Sequence, residues 1–64
     1  MDAKDWVEFY IDSYRRQLEL IEKNKVAALE AGDDSTRRFN LGLQFAFETV
    51  ISDLERFQAR LQEV

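Results

Sequence analysis

The sequence predicts an all-α fold, an antiparallel two-helix hairpin that dimerises into a four-helix bundle. Two apolar stripes have the alternating three- and four-residue spacing of a coiled coil, Gly32 lies between them, and proline is absent. At 64 residues the chain is one helical-hairpin domain, residues 1–64. We expect the first helix over about residues 3–31, the turn over about 32–34 and the second helix over about 35–63.

The start of the first helix is indicated by its acidic residues. Asp2 can accept hydrogen bonds as the N-cap, and Asp5 lies in the first turn, where the helix dipole favours negative charge. The apolar residues that follow recur on one face of this helix. Those expected in the core or the dimer interface are Trp6, Val7, Tyr10, Ile11, Tyr14, Leu18 and Ile21.

Gly32 is the expected end of the first helix, because glycine readily adopts the left-handed conformation that stops a helix. Asp33, Asp34 or Ser35 can then cap the second helix. The second apolar stripe has the same spacing as the first. Its residues expected in the core or the dimer interface are Leu43, Phe47, Val50, Leu54, Phe57 and Leu61.

The two stripes match in antiparallel order. When the chain folds about Gly32, each position of the first stripe meets one of the second at nearly the same level along the hairpin. Lys25 and Asn40 are the polar residues in the middle of the stripes, and this alignment puts them in one layer. Such a layer sets the register and the number of partners at some cost in stability.

The size of the chain and the width of its apolar surface both predict self-association. A chain this short has difficulty burying enough apolar surface alone, and without cysteine it has no disulfide to compensate. Uncharged residues also occupy about half of the circumference of the first helix. This arc is much wider than the narrow strip that a single partner helix covers. We therefore expect a homodimer.

Composition narrows the possible functions. The net charge of −4, without a basic arm, disfavours unspecific binding to nucleic acid or anionic lipid. No apolar run approaches the ~20 residues of a membrane span, and the N-terminus lacks the apolar segment of a signal peptide, so we expect a cytoplasmic protein. Histidine is absent and no serine has a base beside it, so we expect no catalytic site, metal or cofactor.

The function that this pattern favours is a small non-enzymatic protein-interaction or regulatory module, of the inhibitor or adaptor type that bacteria and phages encode. The apolar residues that lie off the stripes, together with two nearby arginines, are the expected contacts with another protein. They are Phe9, Arg16, Leu20, Arg38, Leu41 and Phe45.

Two alternatives remain open. The length, the single turn and the two matched heptad helices resemble the Rop family of plasmid copy-number regulators, antiparallel dimers of helical hairpins that bind paired RNA loops. The resemblance covers the architecture of the whole chain, and it implies an RNA- or DNA-binding regulatory dimer. Arg15, Arg16, Arg37 and Arg38 are the residues that could contact phosphates, the last two at a helix start where free N–H groups favour anions. The other alternative is a structural unit that only assembles with itself.

Overall fold

In a computed structural model, which describes residues 2–63, the chain forms two helices that pack against each other as a hairpin. Helix α1 spans Ala3–Glu30 and helix α2 spans Asp34–Glu63. The predicted all-α hairpin is therefore confirmed, and the helix bounds lie within one residue of those expected. Across the described residues, neither helix has a stretch long and apolar enough to cross a membrane.

The start and the end of α1 have the predicted chemistry. Asp2 is the N-cap, and its side chain accepts a hydrogen bond of 2.9 Å from the backbone N–H of Asp5. At the other end Gly32 has a φ of +72°, the left-handed conformation that ends the helix. The N–H of Asp33 then donates to the carbonyl of Ala28 at 2.8 Å, which satisfies one of the last free carbonyls of the helix.

The start of α2 depends on Asp33. Its carboxylate accepts the backbone N–H of Thr36 at 3.1 Å and the Thr36 hydroxyl at 2.6 Å. Of the three residues that could have capped this helix, the structure thus has Asp33 in that role. Three residues, 31–33, connect the helices, and α1 and α2 pack side by side.

The core is a single strip between the helices. Its buried residues at the open end of the hairpin are Val7, Ile11 and Ile51, and four partly buried side chains pack against them. These are Tyr14, Leu18, Leu54 and Leu61. Nearer the turn, Ile21 and Ala28 of α1 and Asn40 of α2 are also buried.

Helix α2 is rotated from the orientation that its apolar stripe suggests. Ile51 is buried at 7% exposure, whereas Val50 is 36% and Phe57 50% exposed. Gln44 and Gln58 are at least partly buried, so polar side chains enter the strip on one edge. The apolar arc of α2 is wider than one neighbouring helix can cover, and the rotation leaves Val50 and Phe57 on one side of the hairpin.

The hairpin is one helix layer thick. Its Cα atoms extend over 50 × 17 × 10 Å, and Ile11, the most buried of the core side chains, still has 4% of its surface exposed. No side chain between residues 2 and 63 is completely shielded from water. Each broad side of the layer is therefore a surface, and the two sides differ in chemistry.

Candidate interaction surface

One broad side of the hairpin carries the polar contacts that join the helices. Arg15 of α1 forms an ion pair with Glu55 of α2 at 3.4 Å. Lys25 of α1 donates a hydrogen bond of 2.7 Å to the side-chain oxygen of Gln44 and lies 3.0 Å from Glu22. We call this the charged side.

The opposite side is a shallow groove of about 700 Å³ near the turn. Small, apolar or uncharged side chains form its walls, and Asp33 in the turn is the charged residue among those that line it. We call it the neutral groove. Its lining residues are Gln17, Leu20, Ile21, Asn24, Ala27, Ala28, Ala31, Asp33, Thr36, Phe39, Asn40, Leu43 and Phe47.

The same side continues towards the open end of the hairpin. Steps of seven residues keep a helical position on one face, so Tyr10 follows Gln17 along α1 and Val50 and Phe57 follow Leu43 along α2. Trp6, one turn before Tyr10, lies on this face too. We call the neutral groove and these four apolar residues together the neutral face. Trp6, Tyr10 and Phe57 are each about half exposed.

Three aromatic rings form a cluster in the first turns of α1. The rings of Trp6 and Tyr10 are stacked at 6.1 Å, and Phe9 meets both of them edge-on, at 6.2 and 5.6 Å. Phe9 thus has aromatic neighbours, although its place on the helical wheel is among charged residues. All three rings remain about half exposed, so the cluster offers a large apolar surface to a partner.

The expected partner-binding residues lie on separate surfaces. Leu20 lines the neutral groove, Leu41 lines a smaller depression beside Val26 and Leu29, and Phe45 lies against α2 residues alone. Phe9 belongs to the aromatic cluster, and Arg16 is exposed. The structure therefore does not bring Phe9, Leu20, Leu41 and Phe45 into one patch.

Arg37 and Arg38 both pair with Asp34. One oxygen of that carboxylate lies 2.8 Å from Arg37, and the other lies 2.8 Å from the Nε of Arg38. A carboxylate in the first turn of α2 offsets the two positive charges that the helix dipole disfavours there. Both ion pairs therefore lie within the start of α2, with Asp34 as their shared acceptor.

The polar residues of the stripes bond to other groups rather than to each other. Lys25 contacts Gln44 and Glu22, whereas the side-chain amide of Asn40 donates to the backbone carbonyl of Thr36 at 2.8 Å. Asn40 is only 5% exposed, and within residues 2–63 no buried side-chain polar atom lacks a hydrogen-bond partner. These residues are therefore satisfied inside one hairpin.

Phe39 is not among the interface residues that the sequence predicts. Its side chain is 67% exposed and lines the neutral groove, so it belongs to the candidate interface. Its position four residues before Leu43 places both on one helical face.

Comparison with known proteins found no family model, no curated protein and no solved structure that matches the chain.

Proposed function

We propose that this chain is a small non-enzymatic protein-interaction module that acts as a homodimer, in which two hairpins pack through their neutral faces into a four-helix bundle. The observation that carries the proposal is the contrast between the two sides of the hairpin. Polar contacts join the helices on the charged side, whereas half-exposed aromatic and aliphatic side chains cover the other. A large exposed apolar face is typical of a binding site for protein.

The dimensions of the face are adequate for a stable dimer. A footprint of 50 × 17 Å corresponds to about 850 Å², and a standard protein interface buries ~800 Å² on each partner. The one charged residue that lines the neutral groove, Asp33, already accepts two hydrogen bonds from Thr36, so two neutral faces meet with little unpaired charge, which is costly inside an interface. A second copy, which every solution of the protein contains, satisfies both conditions.

The opposite surfaces remain available to a second protein in such a dimer. Leu29 and Phe45 are each 67% exposed and lie away from the neutral groove, and Leu41 lies between them in sequence and is 37% exposed. Arg37 and Lys25 line the same depression as Leu41. Aromatic side chains and arginine are enriched at interfaces with other proteins.

The nucleic-acid alternative has less support. Of the four arginines that could contact phosphates, Arg15 pairs with Glu55, and Arg37 and Arg38 share Asp34. Phosphate binding would therefore have to break these pairs in a chain whose net charge is −4. A shift of labelled RNA or DNA that weakens steeply with salt would favour this alternative.

Two phenylalanines of α2 provide a matched test. Phe39 and Phe45 have the same exposure, 67%, but only Phe39 lines the neutral groove. The measurement is sedimentation equilibrium at micromolar concentration, in which we expect the wild type to be a dimer. Phe39→Glu should shift the mass towards the 7.6 kDa monomer, whereas Phe45→Glu should keep twice that mass.

A compact, helical wild type of 7.6 kDa would overturn the homodimer, and equal effects of the two variants on mass would overturn its packing through the neutral faces. The second half of the proposal is tested by affinity capture from the native host. One dominant protein should bind the wild type and be lost with Phe45→Glu at unchanged dimer mass. If no protein is captured, the chain is a structural unit that only assembles with itself.

A further inference from the structure

The net charge of the chain is concentrated at the open end of the hairpin, where α1 begins and α2 ends. Residues 1–12 contain four acidic side chains and one basic side chain, and residues 53–64 contain three acidic and two basic ones. The intervening residues 13–52 contain six of each. The whole excess of negative charge therefore lies at the open end, which also carries the aromatic cluster.

The acidic side chains at the start of α1 are available to a partner. Asp5, Glu8 and Asp12 are exposed, and none of them forms an ion pair with a basic side chain of residues 2–63. Glu8 and Asp12 also line a depression of about 180 Å³, together with Ile11, Arg15 and Gln58. The positive charge of Arg15 is already paired with Glu55. A cation that enters this depression therefore meets two carboxylates without a counter-ion in the described part of the chain.

Phe9 adds an aromatic surface between these charges. Asp5 precedes it by four residues and Asp12 follows it by three, so both carboxylates flank Phe9 on one face of α1. Its ring is 50% exposed and packs edge-on against Trp6 and Tyr10. An aromatic ring attracts a cation to its face, and the planar guanidinium of arginine also stacks on it. The ring and the carboxylates therefore favour the same kind of group.

We propose that the open end of the hairpin binds an arginine-rich segment of another protein, with one guanidinium on the ring of Phe9 and a second in the depression between Glu8 and Asp12. We call Asp5, Glu8, Phe9 and Asp12 the cation-binding surface. It lies off the neutral face and is distinct from the surface around Phe45. The inference therefore goes beyond the proposed function and does not depend on the homodimer.

The charge of this surface argues against other classes of partner. Nucleic acid and anionic membranes carry repeated negative charge, which the exposed carboxylates repel. A purely apolar partner would desolvate these carboxylates without compensating their charge, which is costly. A basic segment supplies the missing counter-ions, and one segment can reach both contacts because the ring and the depression are neighbours on α1.

Fluorescence anisotropy with short labelled peptides tests the class of partner. The probes are capped peptides in which arginine, lysine or glutamate alternates with glycine. We expect the arginine peptide to bind more tightly than the lysine peptide, because an ammonium group does not stack on a ring as a guanidinium does. Added salt should weaken the binding of both. No binding of the arginine peptide at low salt, or equal binding of the glutamate peptide, would overturn the proposal.

A matched pair of charge variants tests the location of the site. Asp12→Asn removes one charge from the cation-binding surface, whereas Glu30→Gln removes one from an exposed position about 27 Å further along α1. This separation is well beyond the ~8 Å over which exposed charges act at physiological salt. We expect only Asp12→Asn to weaken the arginine peptide several-fold. Equal losses would mean that the net charge of the whole chain attracts the peptide, and would overturn the site.

A second matched pair tests the contact with the ring. Phe9→Leu and Phe45→Leu each replace an exposed ring by an apolar side chain that suits a helix. Phe9→Leu should weaken the arginine peptide about two- to fivefold, the effect of one exposed cation–π contact, and Phe45→Leu should leave it unchanged. Unchanged binding by Phe9→Leu would overturn the contact with the ring.

Sedimentation equilibrium of the same samples separates this inference from the homodimer. All four substitutions lie outside the neutral face, so we expect each variant to keep the dimer mass. A wild-type dimer that does not bind the arginine peptide would overturn the cation-binding surface alone. A 7.6 kDa monomer that binds the peptide through Phe9 and Asp12 would support this surface and overturn only the homodimer.

Discussion

Thr36 donates two hydrogen bonds to Asp33, one from its backbone N–H at 3.1 Å and one from its hydroxyl at 2.6 Å. The hydroxyl bond and then the backbone bond lower the pKa of the Asp33 carboxyl from its ordinary value of 3.8. This pair fixes the start of α2, and together with Gly32 it reverses the chain. The turn is thus a local structure whose parts can be tested one at a time.

Removal of the cap should destabilise the hairpin. Asp33→Ala leaves the N–H of Thr36 without its acceptor at the first turn of α2, so we expect a lower thermal midpoint. Asp33→Asn keeps a side-chain oxygen in place and should retain most of the stability. Circular dichroism during heating, at one fixed protein concentration, measures both; equal midpoints for Asp33→Ala and the wild type would show that the cap contributes nothing.

The contribution of Asp33 should depend on pH with a definite sign. Because its pKa is lower in the folded state than in the unfolded state, the charged carboxylate stabilises the fold above about pH 3.8. That contribution should disappear as the pH falls through the lowered folded-state pKa. The difference in urea midpoint between the wild type and Asp33→Ala should therefore shrink in acid, and a difference that grows below pH 4 would contradict the assignment.

The two glycines should respond to alanine in opposite directions. Gly32 has a φ of +72°, so alanine there is strained although its added Cβ would meet no more distant part of the chain within 4 Å, and we expect a loss of ~1–2 kcal/mol. Gly42 lies inside α2 with open space around it, so alanine should stabilise the hairpin by ~1 kcal/mol. Urea denaturation measures both, and destabilisation by Gly42→Ala would reveal a close neighbour at that position.

The stability of the hairpin should depend strongly on Ile51 and little on the residue that follows it. Ile51 is 7% exposed and packs with Val7 and Ile11, so Ile51→Ala should lower the free energy of unfolding by ~2–4 kcal/mol. Ser52→Ala, at the next and exposed position, should change it by less than ~0.5 kcal/mol. Similar urea midpoints for the two variants would mean that α2 has a different rotation.

Lys25 should lower the stability of the hairpin while it helps to set the register of the two helices. Its side chain is 22% exposed, although its ammonium group bonds to Gln44 and Glu22. We expect Lys25→Met to raise the free energy of unfolding by ~1 kcal/mol, because it extends the apolar strip. Lys23→Met, at an exposed position, is the control and should be close to neutral. A large loss on Lys25→Met would instead make its polar contacts a source of stability.

Local chemistry could be read from the sequence because it depends on neighbouring residues. Three features can be recognised from local stretches of sequence. They are the acceptor role of Asp2, the left-handed conformation of Gly32 and the heptad spacing of α1. The same spacing predicted the buried positions Val7 and Ile21. The cap of α2 could not be read in this way, because three residues are chemically able to provide it: Asp33, Asp34 and Ser35. The backbone geometry selected Asp33.

The amino-acid sequence by itself determined that two helices form, where the chain reverses and that the helices run antiparallel, because these follow from periodicity and capping. Only the tertiary structure decided the rotation of α2, which buries Ile51 and leaves Val50 and Phe57 exposed on the same face of the hairpin as Trp6 and Tyr10. The physical reason is that the apolar arc of α2 exceeds what one neighbour covers. Several rotations then satisfy the sequence pattern, and packing against α1 selects among them.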